Sequence, residues 1–190
     1  MNKSIRIGLL CVVGLAQLSA PVSMILGQER VLREGSQYKF KTAPVDPYDA
    51  FRGRYVALSY ENNFVPIEPT VLVEDGTRVC AILAVDSDGF ARFDRIELRK
   101  PASGDYVETH ALWTDEGKLY LDLPFDRYYM REELAPQAEI AYREHSINFG
   151  VHDAYVAVRV RKGSAAVEEL FIDGKPIYEY LAEAPEQSEP

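Results

Sequence analysis

The stretch Pro44-Val45-Asp46-Pro47-Tyr48-Asp49-Ala50-Phe51-Arg52-Gly53-Arg54-Tyr55-Val56-Ala57-Leu58-Ser59-Tyr60 sets a charged, proline-stiffened turn directly before an alternating strand. Successive side chains of an extended chain point to opposite faces, so Val56, Leu58 and Tyr60 share one face and Tyr55, Ala57 and Ser59 the other. The first set is apolar and suits a core. Pro44 and Pro47 restrict their own φ and that of the residue before each, which makes Val45 and Asp46 extended. Asp46 and Asp49 can accept hydrogen bonds from nearby backbone N–H groups as Asx turns. Arg52 follows Asp49 by three positions and Asp46 by six, within reach of either carboxylate. Arg54 adds a second cation one strand step later, and Gly53 permits backbone conformations closed to other residues.

The alternation continues on both sides of this stretch. Tyr38 to Thr42 reads as a strand before it. After it, Thr70–Val73, Arg78–Val85, Phe90–Leu98, Tyr106–Trp113, Lys118–Leu123, Tyr155–Arg161 and Val167–Ile172 are apolar or alternating runs. They are punctuated by Asp75-Gly76, Asp88-Gly89, Ser103-Gly104, Glu116-Gly117, Lys162-Gly163 and Asp173-Gly174, the pairs that tight hairpins use. Evenly spaced turn signals predict a mainly β fold, an antiparallel meander forming a barrel or a sandwich. One short helix interrupts it. Pro136 suits the first helical position, Glu139 the first turn, Ala138, Ala141 and Tyr142 form an apolar stripe, and the helix runs to about His145, with Asn148 and Gly150 closing it.

The N-terminus has a different composition. Ile7 to Leu26 carries no charge over 20 residues. About 20 apolar residues at about 1.5 Å each span a bilayer core of about 30 Å. The expected organisation is a membrane anchor over 1–27, a β-rich body over 28–182 and an acidic disordered tail over 183–190. A cleaved signal peptide is the competing reading, but cutting after Ala20 leaves Leu18 and Pro21 around the bond, unlike a small-x-small site. Lys3 and Arg6 favour a cytoplasmic N-terminus and a body outside the cytoplasm, although Arg30 and Arg33 lie close on the other side. Those two basic residues precede the apolar run, which leaves 19 basic against 30 acidic residues beyond it, a net charge of −11. An acidic body repels phosphate backbones, so nucleic acid is not an expected partner. Cys11 and Cys80 fall in different media, and both read as small buried apolar residues.

Gly53-Arg54-Tyr55-Val56-Ala57-Leu58-Ser59-Tyr60 resembles the signature Gly-Asp-Tyr-x-x-Leu-x-Tyr of the GDYXXLXY family of membrane-anchored bacterial proteins, a family without an agreed activity. Gly53, Tyr55, Leu58 and Tyr60 match, and Arg54 reverses the charge of the family aspartate. Pro44, Asp46, Pro47, Asp49, Arg52 and Gly53 resemble the family's turn and arginine-glycine approach. Arg127-Tyr128-Tyr129 followed by Glu132 is similar to its later aromatic segment. The resemblance implies a lipid anchor at residues 7–26 and a multi-pass membrane protein as partner.

The expected function is a non-catalytic binding or accessory module of an envelope membrane complex. Its candidate partner-binding or ligand-binding residues are Asp46, Asp49, Arg52, Gly53, Arg54, Tyr55, Tyr60, Arg127, Tyr128 and Glu132. One alternative is an envelope hydrolase or metal-dependent enzyme using Asp46, Asp49, Arg52 and Arg127. Another is a small-ligand or glycan receptor with a cleft lined by Tyr55, Tyr60, Tyr128, Tyr129 and Trp113. No cofactor or metal is expected. His110, His145 and His152 lack ligand spacing, and Asp86-Ser87-Asp88-Gly89 reads as a turn because no full calcium loop follows. Nucleophile-elbow and phosphate-loop patterns are also missing from the sequence.

Overall fold

The computed structural model describes residues 3–43, 55–68, 73–147 and 153–183, with side chains from 10 onward except at 11 and 147. Asp46, Asp49, Arg52, Gly53 and Arg54 lie outside the described residues. So do most of the Thr70–Val73 run, Asn148, Gly150, His152 and the tail beyond 183.

The chain begins with α1 (Lys3–Glu34), followed by β1 (Ser36–Ala43), β2 (Tyr55–Ala57), β3 (Ser59–Tyr60) and β4 (Phe64–Pro66). Next come β5 (Arg78–Val85), β6 (Ala91–Glu97), β7 (Tyr106–Asp115), β8 (Lys118–Asp122) and β9 (Arg127–Tyr129). Then follow α2 (Ala135–Ile147), β10 (Tyr155–Arg161), β11 (Ser164–Ile172), β12 (Lys175–Pro176) and α3 (Ile177–Glu183). The glycine of every predicted turn pair has a positive φ, between 71° and 88°. The turn pairs therefore separate strands as their chemistry dictates.

The described strands form three antiparallel sheets. One runs β12-β11-β10-β1-β3, a second β4-β8-β7-β5-β6, and a small third pairs β2 with β9. The expected single meander is corrected here, because β1 enters the first sheet between β10 and β3 and so joins the two ends of the chain. The expected barrel is corrected too. Neither large sheet closes on itself, since β2 turns away from β1 at Leu58 and carries β9 into a separate ribbon. Among the described residues the body holds two short helices, where one was expected. The seven residues of α3 are too few for a readable apolar stripe. In α2 the helix begins at Ala135, one residue before Pro136, which puts Glu139 just beyond the first turn.

Both large sheets contribute to one core. Phe40 of β1 packs on Phe93 of β6 at 5.8 Å, on Phe125 at 5.1 Å and edge-on to Tyr60 at 5.7 Å between ring centroids. Val56, Leu58 and Tyr60 are buried on one face as the alternation required, with Tyr55, Ala57 and Ser59 half-buried on the other. Each such large apolar side chain contributes about 1.5–3 kcal/mol. Ala138, Ala141 and Tyr142 seat α2 on the same core. The Tyr142 hydroxyl donates to the Ala43 carbonyl at 3.0 Å and accepts the Ser59 N–H at 3.2 Å, which pins the β1–β3 junction. Among the described residues no buried side-chain N or O lacks a partner.

The helix α1 runs unbroken from Lys3 to Glu34 and docks by its last turns. Val31 is buried, and the Gly35 N–H donates to the Val31 carbonyl at 2.9 Å. A Cβ on Gly35 would stand 2.5 Å from that carbonyl and 3.0 Å from that of Val160, so only glycine lets the helix end against β10. Arg159 donates to the Gly35 carbonyl at 3.1 Å, and Arg161 pairs with Glu34 at 2.7 Å. Above this dock the apolar side chains have no protein neighbours to cover them: Leu10, Leu15, Leu18, Met24, Ile25 and Leu26 are all 60–74% exposed. Among the described residues, no helix is long and apolar enough to cross a membrane.

The two large sheets are stitched at Gly163, whose backbone bridges Val107 and whose carbonyl accepts the Glu108 N–H at 2.8 Å. Its φ is +88°, and a Cβ there would sit 2.6 Å from Glu108 Cγ and 2.7 Å from a Tyr106 ring carbon. Gly163→Ala is therefore expected to lose about 2–4 kcal/mol, through left-handed backbone and crowding together. That corresponds to a fall of about 5–15 °C in Tm by calorimetry. Gly27→Ala, with open space around it, should leave Tm within about 2 °C.

Candidate functional site

Tyr55 opens β2, and β2 pairs with β9 in the register Tyr55↔Tyr129, Val56↔Tyr128, Ala57↔Arg127. The signature strand and the later aromatic segment are thus neighbours, although more than 70 residues separate them in sequence. The Tyr55 and Tyr129 rings meet at 5.6 Å, and the Arg127 guanidinium lies 5.3 Å from the Tyr55 ring centroid. Such a cation over a half-buried ring contributes about 0.5–2 kcal/mol. Asp126 stands 3.7 Å from the same guanidinium.

Leu58 and Tyr60 hold the segment leading into β9. The Leu58 N–H donates to the Asp126 carbonyl at 2.8 Å, and the Tyr60 hydroxyl donates to the Phe125 carbonyl at 2.7 Å. Tyr60 also packs edge-on against the Phe125 ring at 5.2 Å. The described signature side chains thus have distinct jobs: Tyr55 stacks on β9, Leu58 pairs with the residue before it and fills the core, and Tyr60 clamps the turn. Burial raises the Tyr60 phenol well above its ordinary range, helped by Tyr142 and Asp126 nearby. The hydroxyl therefore stays protonated and remains a donor.

Beside β9 lies a groove of about 400 Å³. One wall is Pro124 to Tyr129, the other Ala165 to Glu168 of β11, and Gln28 of α1 also contributes. The Tyr128 hydroxyl crosses between the walls and donates to Glu169 at 2.6 Å. Burial, then this bond to a carboxylate, pushes its titration far above that of a free tyrosine. Glu168 is gripped by Arg159 through two hydrogen bonds of 2.8 Å, and that contact, reinforced by Gln37, holds its carboxyl below the ordinary range. The groove thus presents Tyr129, which is 67% exposed, together with Arg127 and Asp126, over a floor of buried Phe125, Tyr128 and Ala166.

The other candidates fall elsewhere. Glu132 is exposed in the turn before α2 and outside the lining of the groove. Trp113 sits on β7 in the second large sheet, stacked on Tyr120 at 4.9 Å. Tyr60 and Tyr128 are buried, so the five aromatics proposed for a cleft do not form one surface. Cys80 is a buried free thiol whose titration burial raises. His145 bridges Asp153 through Nδ1 at 2.7 Å and Tyr180 through Nε2 at 3.0 Å, tying α2 to the start of β10 and to α3. With both ring nitrogens engaged it acts as a brace. Among the described residues no group of three or more His, Cys, Asp or Glu could hold a metal ion. Sequence reasoning missed the groove wall in β11, for Ala165 to Glu168 carries no motif; its signal was the Lys162-Gly163 turn, which brings that strand back beside β10.

The sequence model of the family described as GDYXXLXY protein matches residues 17–170, most of the chain, and the protein belongs to that family. No curated protein and no solved structure matches it.

Two outcomes test this arrangement. Tyr60→Phe leaves the Phe125 carbonyl without its donor and is expected to cost about 1–3 kcal/mol in urea unfolding. The second concerns pH. Burial also raises Tyr142, and burial together with Asp105 raises Tyr38 to about 12, from the ordinary value of 10.0. Folded values above unfolded ones mean that the stabilisation is fully present below pH 10 and is lost as pH climbs through the folded values. A phenolate titration at 295 nm should show a class of tyrosines that ionises only as the fold melts, whereas one uniform transition near pH 10 would refute their burial.

Proposed function

We propose that this member of the GDYXXLXY family is a membrane-anchored, non-catalytic accessory module of an envelope membrane complex, with its body outside the cytoplasm. Residues 7–26 seat in lipid, and the partner is a multi-pass membrane protein. The observation that carries the reading is α1 itself. Its described apolar side chains are exposed all round up to Leu26, and eight residues later the same helix ends docked against β10. A run of exposed apolar side chains on a helix marks a surface that favours an apolar surround. The rigid dock then fixes the orientation of the body relative to that surround. Gln28, two residues past Leu26, already lines the groove, which puts the groove next to the lipid surface in this reading.

A receptor for a small ligand is the second reading, favoured by the groove volume and by the exposed ring of Tyr129 beside Arg127. Pockets of about 300 Å³ and more accommodate small molecules. The enzyme alternative rests on Asp46, Asp49, Arg52 and Arg127, of which Arg127 is described, beside Asp126 and over the Tyr55 ring.

Fractionation tests the principal reading. The full-length chain is expected to stay in the membrane pellet after alkaline carbonate, and its body to be cut by protease added to intact spheroplasts. Leu15→Arg/Leu18→Arg, at about 2.5–3.5 kcal/mol per charge in the apolar run, should move most of it to the soluble fraction. Mature protein that begins past Leu26 and is found in the soluble fraction would reject the reading.

A further inference from the structure

The body stops covering α1 within one turn of the groove. Gln28 and Val31, three residues apart, share one face of the helix; Gln28 lines the groove and Val31 is buried. Met24 and Ile25, four and three residues before Gln28, continue that face and are 74% and 67% exposed. Positions one turn apart on a helix are separated by about 5.4 Å. The groove therefore sits at the rim of the body, one turn from side chains that no other described residue covers.

In the anchored reading the hydrocarbon ends near Leu26, and the headgroup layer beyond it is about 5–8 Å deep. The groove then faces that layer, and its side chains suit it. Tyrosine is favoured there because its ring fits the apolar boundary and its hydroxyl the wet side. Tyr129 is 67% exposed, whereas its neighbour in β9, Tyr128, is buried. Arg127 shares the face of β9 that carries Tyr129, and its guanidinium lies over the Tyr55 ring. A guanidinium has five N–H donors and pairs readily with phosphate oxygens. An unmatched carboxylate would repel a phosphate. The two described carboxylates that line the groove are both matched, Glu168 to Arg159 and Asp126 to Arg127.

We propose that the rim of the groove is a membrane-surface contact, in which the Tyr129 ring seats among phospholipid headgroups and the Arg127 guanidinium meets a lipid phosphate. This deepens the accessory-module reading and rests on its anchor for the membrane. A single helix in lipid leaves its own tilt unset, and interfacial tyrosine and arginine side chains are what fix it. The ribbon of β2 and β9 gives the body a second point of support beside α1, and so sets which side of the body faces the leaflet.

The natural chain has a single tryptophan, Trp113, which lies on the other large sheet and serves as the reference. A full-length chain with Trp113→Phe and Tyr129→Trp carries the probe at the groove. Both chains are reconstituted in phosphatidylcholine vesicles, with and without a headgroup spin-labelled lipid, and with iodide on both sides of the bilayer. Emission from the Tyr129→Trp probe is expected to fall about twofold or more with the headgroup label and to resist iodide, as an interfacial ring should. Trp113 of the natural chain is expected to behave the opposite way. Arg127→Gln in the probe chain should remove about half of the headgroup quenching, and unchanged quenching would overturn the phosphate contact. If Trp113→Phe lowers Tm, Tyr129→Trp is read with Trp113 kept and the natural emission subtracted. A probe open to iodide and untouched by the label, in chains that float with the vesicles, overturns the contact and leaves the anchor standing. Equal headgroup quenching of the probe and of Trp113 also overturns it, because the body then has no preferred side. Chains that fail to float with the vesicles overturn the anchored reading and the contact together.

Discussion

Leu58 is where one strand becomes two. Before it, β2 pairs with β9; after it, β3 pairs with β1. The Leu58 side chain is buried and its N–H is bonded to Asp126, so the bend is held from the core side and from the backbone at once. Without that double hold, the ribbon of β2 and β9 would have no fixed angle to the large sheets. The groove wall from Pro124 to Tyr129 would then lose its position. Tyr60 and Tyr142 reinforce the same place, one through the Phe125 carbonyl and the other through Ala43 and Ser59. The spacing of Tyr55, Leu58 and Tyr60 in the family signature therefore reads as the specification of a corner: a stacking ring on the outside, then a buried bend, then a clamp.

The second constraint is the seam where α1 meets β10. Helix, glycine and strand are consecutive in sequence, and the approach at Gly35 is too close for any side chain. Arg159 and Arg161 secure it by reaching the Gly35 carbonyl and Glu34 from β10. β1 continues directly from that seam into the first sheet, between β10 and β3. β1 also carries the chain to Ala43, where Tyr142 holds the junction. The helix end at Gly35 and the junction with β3 thus lie at the two ends of β1.

Local chemistry was legible in the sequence. The alternation of Val56, Leu58 and Tyr60, the glycine turns and the buried stripe of α2 all follow from nearest-neighbour rules, and each is found where those rules put it. What depends on distant partners was not legible. Nothing within Ser36–Ala43 says that it pairs with a strand more than 100 residues later. β9 is three residues long, too short for alternation to register, and its sequence reads only as an aromatic segment resembling the family's. The candidate site divided along the same line. Tyr55, Arg127 and Tyr128 come together because β2 and β9 pair, whereas Trp113 shares their chemistry but belongs to another sheet. The barrel expectation failed for a related reason: hairpin signals fix neighbours in sequence but do not say whether the last edges meet.

The most direct measurement of the central claim is the native-state hydrogen exchange of the Leu58 amide in the full-length protein. If the bend at Leu58 is the fixed corner of the body, this amide exchanges only through global unfolding, with an opening free energy equal to that of the buried strands β5 and β10. Exchange of Leu58 at the rate of the exposed turns, while β5 and β10 stay protected, would contradict the account.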